Sequence, residues 1–564
     1  MAEKTVARKR RGKRVLRVVP LGGAGEIGKN CVVVEYNGDL VVIDAGVMFP
    51  SEEMHGVDLV IPDFSYIIER AANLRGIVLS HGHEDHIGSL PYLLRQLGQT
   101  VPIFGSPLTL GLARAKLREH GVLGLADMRS IAPREMFKLG TIQGETYHVS
   151  HSIPDSRGVV LHTPLGVLIY TSDFKFDPAP LDGLLTDTDR LAELGDEGVL
   201  FLLSDSTRAE RAGRTPSETS VGETLERLVA EAPGRVIVTT FASNVARLGQ
   251  VITAARKYGR KVAIVGRSME QTLGVAAELN YLKLWPDTVR PLSEIKALPS
   301  NQVVMLTTGS QGEPTSVLSR IAMGDYPQIR IMEGDTVIVA ANPVPGNETT
   351  VSRTIDNLFR RGARVIYGEI LESVHVSGHA GADELRAMIE LTQPRRCVPI
   401  HGEYRQLISY RQMALSAGIA PENIYILDNG NTLEFDGRQV RTGGQVPVGS
   451  VLVDGLTVGH VTKVVLHDRS RLATEGVVVV AVTVDRLTGD VISGPDLMAR
   501  GLVSPAEEDL LELAKPLIAR ALKRTRHGEA EYGFLVHKVR QVVGQLIRQR
   551  TGTQPLILPV VMEV

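Results

Sequence analysis

The 564-residue sequence predicts an α/β protein in three parts: a sandwich of strands and helices, a parallel-sheet domain, and a small α+β domain at the end. Three observations carry this expectation. The first part reads as short strands linked by hairpins. The middle alternates continuous apolar strands with amphipathic helices, the pattern of a parallel sheet covered on both faces. The length fits about three domains of roughly 100–200 residues each.

In chain order, 15–19 is a strand followed by a glycine-rich loop. Strands at 31–36 and 40–44 flank Asn37-Gly38, a strong hairpin signal between β-branched runs. A buried strand at 76–80 leads to helical patterns near 88–98 and 107–119, and strands recur at 145–149, 158–163, 166–170 and 198–203. From about 206 to 370 the apolar runs 236–240, 262–265, 303–306, 337–340 and 365–367 are separated by helical stretches. Short motifs and hairpins return at 371–440, and the Gly/Val/Pro stretch 443–448 reads as a linker. A strand pair near 475–494, two helices near 505–550 and a strand at 556–561 complete the chain. The expected division is a basic disordered tail 1–14, a first part 15–205, an inserted domain 206–370, a second part 371–440, a linker 441–455 and a C-terminal domain 456–564.

Composition narrows the class. With 43% hydrophobic and 22% charged residues the chain is globular, not disordered. It has no apolar run of roughly 18–20 residues, so no membrane span is expected. The basic N-terminus lacks the apolar stretch of a secretory signal. Cys31 and Cys397, both in strand-like surroundings, make neither a disulfide framework nor a cysteine zinc site, and point to a reducing cytoplasm. Residues 1–17 carry +7, leaving −9 for the other 547. Such a tail serves equally as a phosphate-holding arm or as a solubilising extension. The negative body excludes a protein that coats nucleic acid, so a polyanionic substrate needs positive charge focused in a groove or supplied by metal. Aromatics at 4% favour backbone tracking over base stacking.

The chemistry concentrates in Ser80-His81-Gly82-His83-Glu84-Asp85-His86-Ile87-Gly88, where an apolar strand ends and a helix begins. Imidazole and carboxylate suit zinc and related divalent ions. His81 and His83 alternate as on one face of an extended segment, and Asp85 with His86 at the turn can converge on a second ion. One such histidine would be ordinary loop polarity; this spacing is not.

The motif resembles the signature of the metallo-β-lactamase superfamily, an αββα sandwich. The resemblance implies a later His and Asp at strand ends, which His151 (before Ser152-Ile153-Pro154-Asp155) and Asp173 fit; His148 is a nearby decoy. Asp44 resembles the superfamily's first motif and orients ligands without binding metal. One ion then falls to His81, His83 and His151, the other to Asp85, His86 and a last histidine, with Asp173 between them. Candidates for that last ligand are His375, His379 and His401. Two cations roughly 3.5–4 Å apart can share a hydroxide and clamp both oxygens of an in-line displacement.

Asp173 and His401 are separated by 228 residues, too far for a loop, so 206–370 reads as an insertion. This arrangement resembles the β-CASP subgroup of nucleases. Leu203-Ser204-Asp205-Ser206-Thr207, Val374-His375-Val376-Ser377-Gly378-His379 and Pro399-Ile400-His401-Gly402-Glu403 match its motifs. By position His401 is the last ligand, while His379, Asp205 and the ligand Asp85 take catalytic roles. Thr239-Thr240-Phe241-Ala242-Ser243-Asn244 and Thr308-Gly309-Ser310-Gln311-Gly312-Glu313 are similar to the ribonuclease J family, over essentially the whole chain from about residue 14. That resemblance implies a ribonuclease of the two-metal hydroxide type, with 5′→3′ exonuclease and endonuclease activity in mRNA decay and rRNA maturation. It also implies two zinc ions per subunit (manganese or magnesium being the alternatives), single-stranded RNA with a 5′-monophosphate, a homodimer or tetramer, and links to RNA-degradation machinery. Ser172-Asp173 departs from the Gly-Asp of many relatives, with little expected effect because the carboxylate is kept.

His379 is expected to protonate the departing 3′ oxygen. Ser377, Gly378 and His379 are expected to meet a phosphate. His375 divides evenly between that role and a structural one. Ser243, Asn244 and Ser310 follow apolar strands of the inserted domain, where ligands bind, with turn chemistry as the plainer account. Gly23-Ala24-Gly25-Glu26-Ile27-Gly28 spells a dinucleotide fingerprint but leads into a strand, not the helix that fingerprint requires. The basic helical stretch 536–550 reads first as a solvated face. Three other functions fit parts of the sequence: a nuclease acting on single-stranded DNA, a flavo-di-iron-like redox protein, and a non-catalytic RNA-binding scaffold. His401 speaks against the first, His83 against the second, and the full ligand set against the third.

Overall fold

Two β-sheets stack face to face because their strands carry apolar side chains on the shared side. Val18, Val34, Val41 and Ile43 of one sheet bury against Val159, Leu161, Leu168, Leu203 and Val398 of the other. The computed structural model describes residues 14–564 apart from 52, 345, 456, 486–489, 503–506 and 524–531. All of the expected basic tail except Arg14 therefore lies outside the described residues. One unit comprises Val60–Val451 with the described residues up to Phe49; the other comprises Pro50–Leu59 and Leu452–Val564.

In the first unit, the eight-stranded sheet runs Val440–Gln445, Asn431–Phe435, Leu16–Gly22, Cys31–Tyr36, Asp39–Ile43, Leu74–Val78, Val101–Gly105 and Ala126–Ser130. The six-stranded sheet runs Cys397–Ile400, Val199–Asp205, Gly166–Tyr170, Arg157–Thr163, Ile142–His148 and Phe137–Leu139. Helices Thr188–Glu197, Ala382–Thr392 and Tyr404–Ser416 cover the outer face of the six-stranded sheet through Leu191, Leu385, Met388 and Tyr410. Helix Pro107–Glu119 lies against Val101–Gly105 and Ala126–Ser130. The layers are those of an αββα sandwich.

The inserted domain is a wholly parallel sheet in the order Lys261–Val265, Val303–Thr307, Val236–Thr239, Thr336–Val339, Arg364–Ile366. Separate apolar clusters bury its two faces, which is why its strands read as continuous hydrophobic runs. The chain then returns to the sandwich through Cys397–Ile400, parallel to Val199–Asp205.

In the second unit, strand Val477–Val484 lies between Val491–Arg500 and Leu556–Glu563. Its alternate residues Val478, Val480 and Val482 pack on Ala514, Ile518, Val539 and Val543 of the helices Glu507–Lys523 and Tyr532–Thr551. Among the described residues, no helix is long and apolar enough to cross a membrane.

Several elements escaped the sequence. The segment expected as a linker is strand at Val440–Gln445 and again at Ser450–Asp454. Val440–Gln445 is polar and exposed, held by backbone pairing to Asn431–Phe435, so it left no apolar run to read. Strand Val101–Gly105 is broken in sequence by Pro102, and helix Lys463–Thr474 has no fully buried residue to mark a face. The glycine fingerprint is a loop: Ala24 and Gly25 pair with Gly402 and Glu403, and His401 N donates to Gly23 O.

Candidate metal centre

The candidate ligands come from strand ends that topology brings to one edge. Gly166–Tyr170, Val199–Asp205 and Cys397–Ile400 are mutually parallel, so Asp173, Asp205 and His401 follow neighbouring carboxyl ends. Leu74–Val78 in the other sheet delivers His81 and His83, and helix Glu84–Ile87 carries Asp85 and His86. Asp44, Ser172 and His401 each turn with φ of 62°, 58° and 50°, a left-handed conformation uncommon outside glycine. Such strain persists only where surrounding structure fixes it, and it concentrates at functional sites.

Among the described residues three donor groups form, all sharing Asp173; two are built from the predicted ligands, and the third joins Asp173 and His401 to Asp205 and His379. In the first, His83 Nδ1 lies 3.0 Å from His81 Nε2 and 3.2 Å from His151 Nε2, with Asp173 Oδ2 3.7 Å from each of those two. Zinc–nitrogen bonds of about 2.0–2.1 Å imply ligand separations of roughly 3.3 Å in a tetrahedron, close to this spacing. His151 Nδ1 donates to Gly378 O at 2.8 Å, which leaves Nε2 a bare lone pair. Burial holds His81 and His151 well below the ordinary histidine value and His83 at about 4, so all three are neutral and able to ligate.

In the second set, His86 Nε2 lies 3.3 Å from Asp173 Oδ2 and 3.6 Å from Asp85 Oδ2, and His401 Nε2 lies 3.3 Å from Asp85 Oδ2. Asp44 Oδ2 accepts from His86 Nδ1 at 2.8 Å and from Tyr170 Oη at 3.0 Å, so its carboxylate faces the ligand, not the centre. His401 Nδ1 reaches Asp173 Oδ1 at 2.7 Å, while the buried Nε2 faces Asp85 Oδ2 and, among the described residues, has no hydrogen bond of good geometry. Burial would lower the His401 pKa, but Asp173 and Asp85 overcome it and push it up to about 10. His86 is raised for the same reason, burial opposed by Asp173, Asp85 and Asp44. The carboxylates that raise these two histidines are the negative charge that a divalent cation would balance. The orphaned Nε2, the donor spacing and the shared Asp173 fit two such cations.

His379 stands at the rim. Its Nδ1 lies 2.8 Å from Asp205 Oδ2 and its Nε2 lies 3.9 Å from Asp173 Oδ2. Burial would lower its pKa, yet Asp205 and Asp173 raise it.

The other candidates divide. Ser377 Oγ accepts from His379 N at 3.1 Å, and Gly378 packs on His151. His375 bonds Arg247 at 2.7 Å. Ser243 is half-buried beside Asn244, whose buried Oδ1 caps helix Val245–Lys257 by accepting from Arg247 N. Turn chemistry therefore occupies the Asn244 carbonyl. Ser310 is buried beyond strand Val303–Thr307 and makes no hydrogen bond to the cluster among the described residues. His148 bonds Leu185 O at 3.0 Å and stays outside the cluster.

Sequence reasoning missed Asn30, whose Nδ2 lies 3.0 Å from His86 Nε2. It also missed Ser80 and Ser172, whose hydroxyls lie 3.1 and 3.3 Å from His81 Nδ1. Ser80 adjoins the motif and was open to notice; Asn30 had no signal beyond following the glycine loop.

The chain matches four family descriptions: metallo-beta-lactamase superfamily over residues 24–237, Ribonuclease J beta-CASP domain over 233–358, Zn-dependent metallo-hydrolase RNA specificity domain over 365–427, and Ribonuclease J C-terminal domain over 464–564. It is 42% identical over 559 residues to Ribonuclease J of Synechocystis, covering 97% of this chain and 86% of that one. It is 39% identical over 561 residues to Ribonuclease J2 of Bacillus subtilis, covering 99% and 100%. A crystal structure of a protein of unknown function from Enterococcus faecalis superposes with a TM-score of 0.52 at 16% identity, over 75% of this chain and all of that one, a likeness of fold.

Proposed function

The chain belongs to the ribonuclease J family, and from that premise we propose that it is a metal-dependent ribonuclease hydrolysing phosphodiesters of single-stranded RNA. The observation that carries this is the pair of donor sets sharing Asp173, with the His379–Asp205 pair joined to Asp173 and His401 in a third group beside them. His81, His83 and His151 would hold one divalent cation, Asp85, His86 and His401 the other, and Asp173 would bridge. Two zinc ions are the proposed cofactors. When bound, they withdraw charge from the phosphoryl group and lower the pKa of water.

The residues of the chain do the rest. Asp205 accepts from His379 Nδ1, which turns Nε2 towards the centre and favours the imidazolium. That Nε2–H is placed to protonate the departing 3′ oxygen, giving a 5′-phosphate and a 3′-hydroxyl. His375, Ser377 and Ser243 would hold a terminal 5′-phosphate, setting 5′→3′ exonuclease counting beside internal cleavage. The domain division 15–205, 206–370, 371–440 and 456–564 accompanies this reading. So do a homodimer, a cytoplasmic setting suited to the two free buried cysteines, and a role in mRNA decay and rRNA maturation.

Digestion of 5′-labelled RNA bearing a monophosphate or a triphosphate tests it, with single-stranded DNA of the same sequence beside them. Labelled mononucleotide released from the monophosphate RNA alone is expected. Equal release from both RNA ends would remove the 5′-counting, and faster cleavage of DNA would remove the ribonuclease.

A further inference from the structure

Arg247, in the inserted domain, is fully buried, and all five of its N–H groups are used. Nε and Nη2 hold the Glu218 carboxylate at 2.9 and 2.8 Å. Nη1 reaches Ala340 O and His375 Nδ1, both at 2.7 Å, and the remaining Nη2 hydrogen points at Val376 O, 3.3 Å away. A guanidinium donates and never accepts. His375 Nδ1 is therefore the acceptor, and the ring proton sits on Nε2.

A second proton on the ring is opposed. Burial, then the Arg247 charge, with Arg208 and Lys175 also facing the ring, hold His375 well below the ordinary histidine value, and the Ala340 carbonyl acts the other way. The Glu218 charge is spent on Arg247. Among the described residues the ring is held at Nδ1 by Arg247, and it is partly exposed, two residues before Ser377.

We propose that Glu218 and Arg247 are positioning residues that fix His375 as its neutral Nε2–H form, so that its donor is set for a phosphate before RNA arrives. This rests on His375 being a phosphate contact, as in the function proposed above. A donor fixed by neighbours needs no reorganisation when the anion binds. It also makes selection of a 5′-phosphate independent of histidine titration between about pH 5.5 and 7.5.

The test compares kcat/KM for 5′-monophosphate and 5′-hydroxyl RNA as a ratio, each variant against the parent at every pH, so that the phosphate's own ionisation near pH 6 cancels. His375→Asn keeps an acceptor for Arg247 but has no donor in place of Nε2; its ratio is expected to fall about tenfold at all pH. Glu218→Leu with Arg247→Met removes the buried pair together and leaves no orphaned charge. Its ratio is expected to fall about tenfold near pH 7.5 and to recover as pH drops through about 6.5, where the freed imidazole gains its proton. A parental ratio in His375→Asn overturns the phosphate contact itself. Loss in His375→Asn with a flat parental ratio in the double variant overturns the tautomer lock alone. A measurement on the parent needs no folded double variant: nitrogen-15 shifts of labelled histidine, with His375 assigned by its absence from His375→Asn. Protonation on Nε2 is expected, and a proton on Nδ1 overturns the proposal.

Discussion

Asp205 Oδ2 sits 2.8 Å from His379 Nδ1, while its Oδ1 accepts from Thr207 N at 2.9 Å and Thr207 Oγ1 at 2.7 Å. Both oxygens are committed, so the carboxylate cannot rotate without losing a partner. Asp205→Asn puts an amide N–H₂ against one of these donors and unseats His379. The turnover number should drop about a hundredfold, the usual scale for a lost general acid. His379→Ala should lose at least as much. Metal content measured by atomic emission should stay at the parental value in both, and a variant that cuts RNA as fast as the parent would remove His379 as the acid.

Asp173 belongs to all three donor groups, whereas Asp85 belongs to one. Dialysed Asp85→Ala should therefore retain about one ion per chain and Asp173→Ala close to none. In the parent, chelation should abolish cleavage and lower the melting temperature. Metal at about a thousandfold over its Kd restores roughly 4 kcal/mol. Equal losses from the two variants would contradict a bridging Asp173.

A Cβ added at Gly378 would lie 2.6 Å from both Cε1 and Nδ1 of His151. The same residue's carbonyl accepts the His151 Nδ1 proton, so the ring has no slack on that side. Gly378→Ala should push the imidazole off its position. Affinity for the ion assigned to His81, His83 and His151 should fall about 10–100-fold, the scale seen when a ligand loses its orienting partner. Zinc titration against a competing chelator measures it; parental affinity would show that the loop moves aside.

Much of this was legible beforehand because metal chemistry constrains residue type and order more tightly than packing does. His81, His83, Asp85 and His86 sit within six positions, and a resemblance extended the set to His151, Asp173 and His401. Continuous apolar runs betrayed the inserted parallel sheet, whose strands are buried on both faces. The rest was hidden for physical reasons. Asn244 advertises a polar loop, yet serves as a helix cap, and sequence does not say which group its oxygen will find. Val440–Gln445 is held by backbone bonds that any side chains allow. Arg247, Glu218 and His375 lie 29 and 128 residues apart, and only the fold makes them neighbours.

Asp39 opens the strand after the Asn37-Gly38 turn and accepts from Thr141 N and Oγ1, both at 2.7 Å, and from Arg75. It thus ties the eight-stranded sheet to the turn before Ile142–His148 of the other. Burial would raise its pKa, but the Thr141 hydroxyl, Arg75 and the Thr141 N–H together bring it below the ordinary carboxylate value. A carboxyl depressed in the folded state stabilises above its unfolded pKa, near about 4, and that contribution disappears as pH falls through the folded value. Arg75 is partly exposed and screened, so the Thr141 donors carry most of the effect. Asp39→Asn turns an amide N–H₂ towards one of them and should cost about 1–3 kcal/mol at pH 7. Urea unfolding of metal-free parent and variant should show that gap closing below about pH 4, where the parent carboxylate also takes up a proton. A gap that stays constant down to about pH 2 would mean that Asp39 acts through its shape, not its charge.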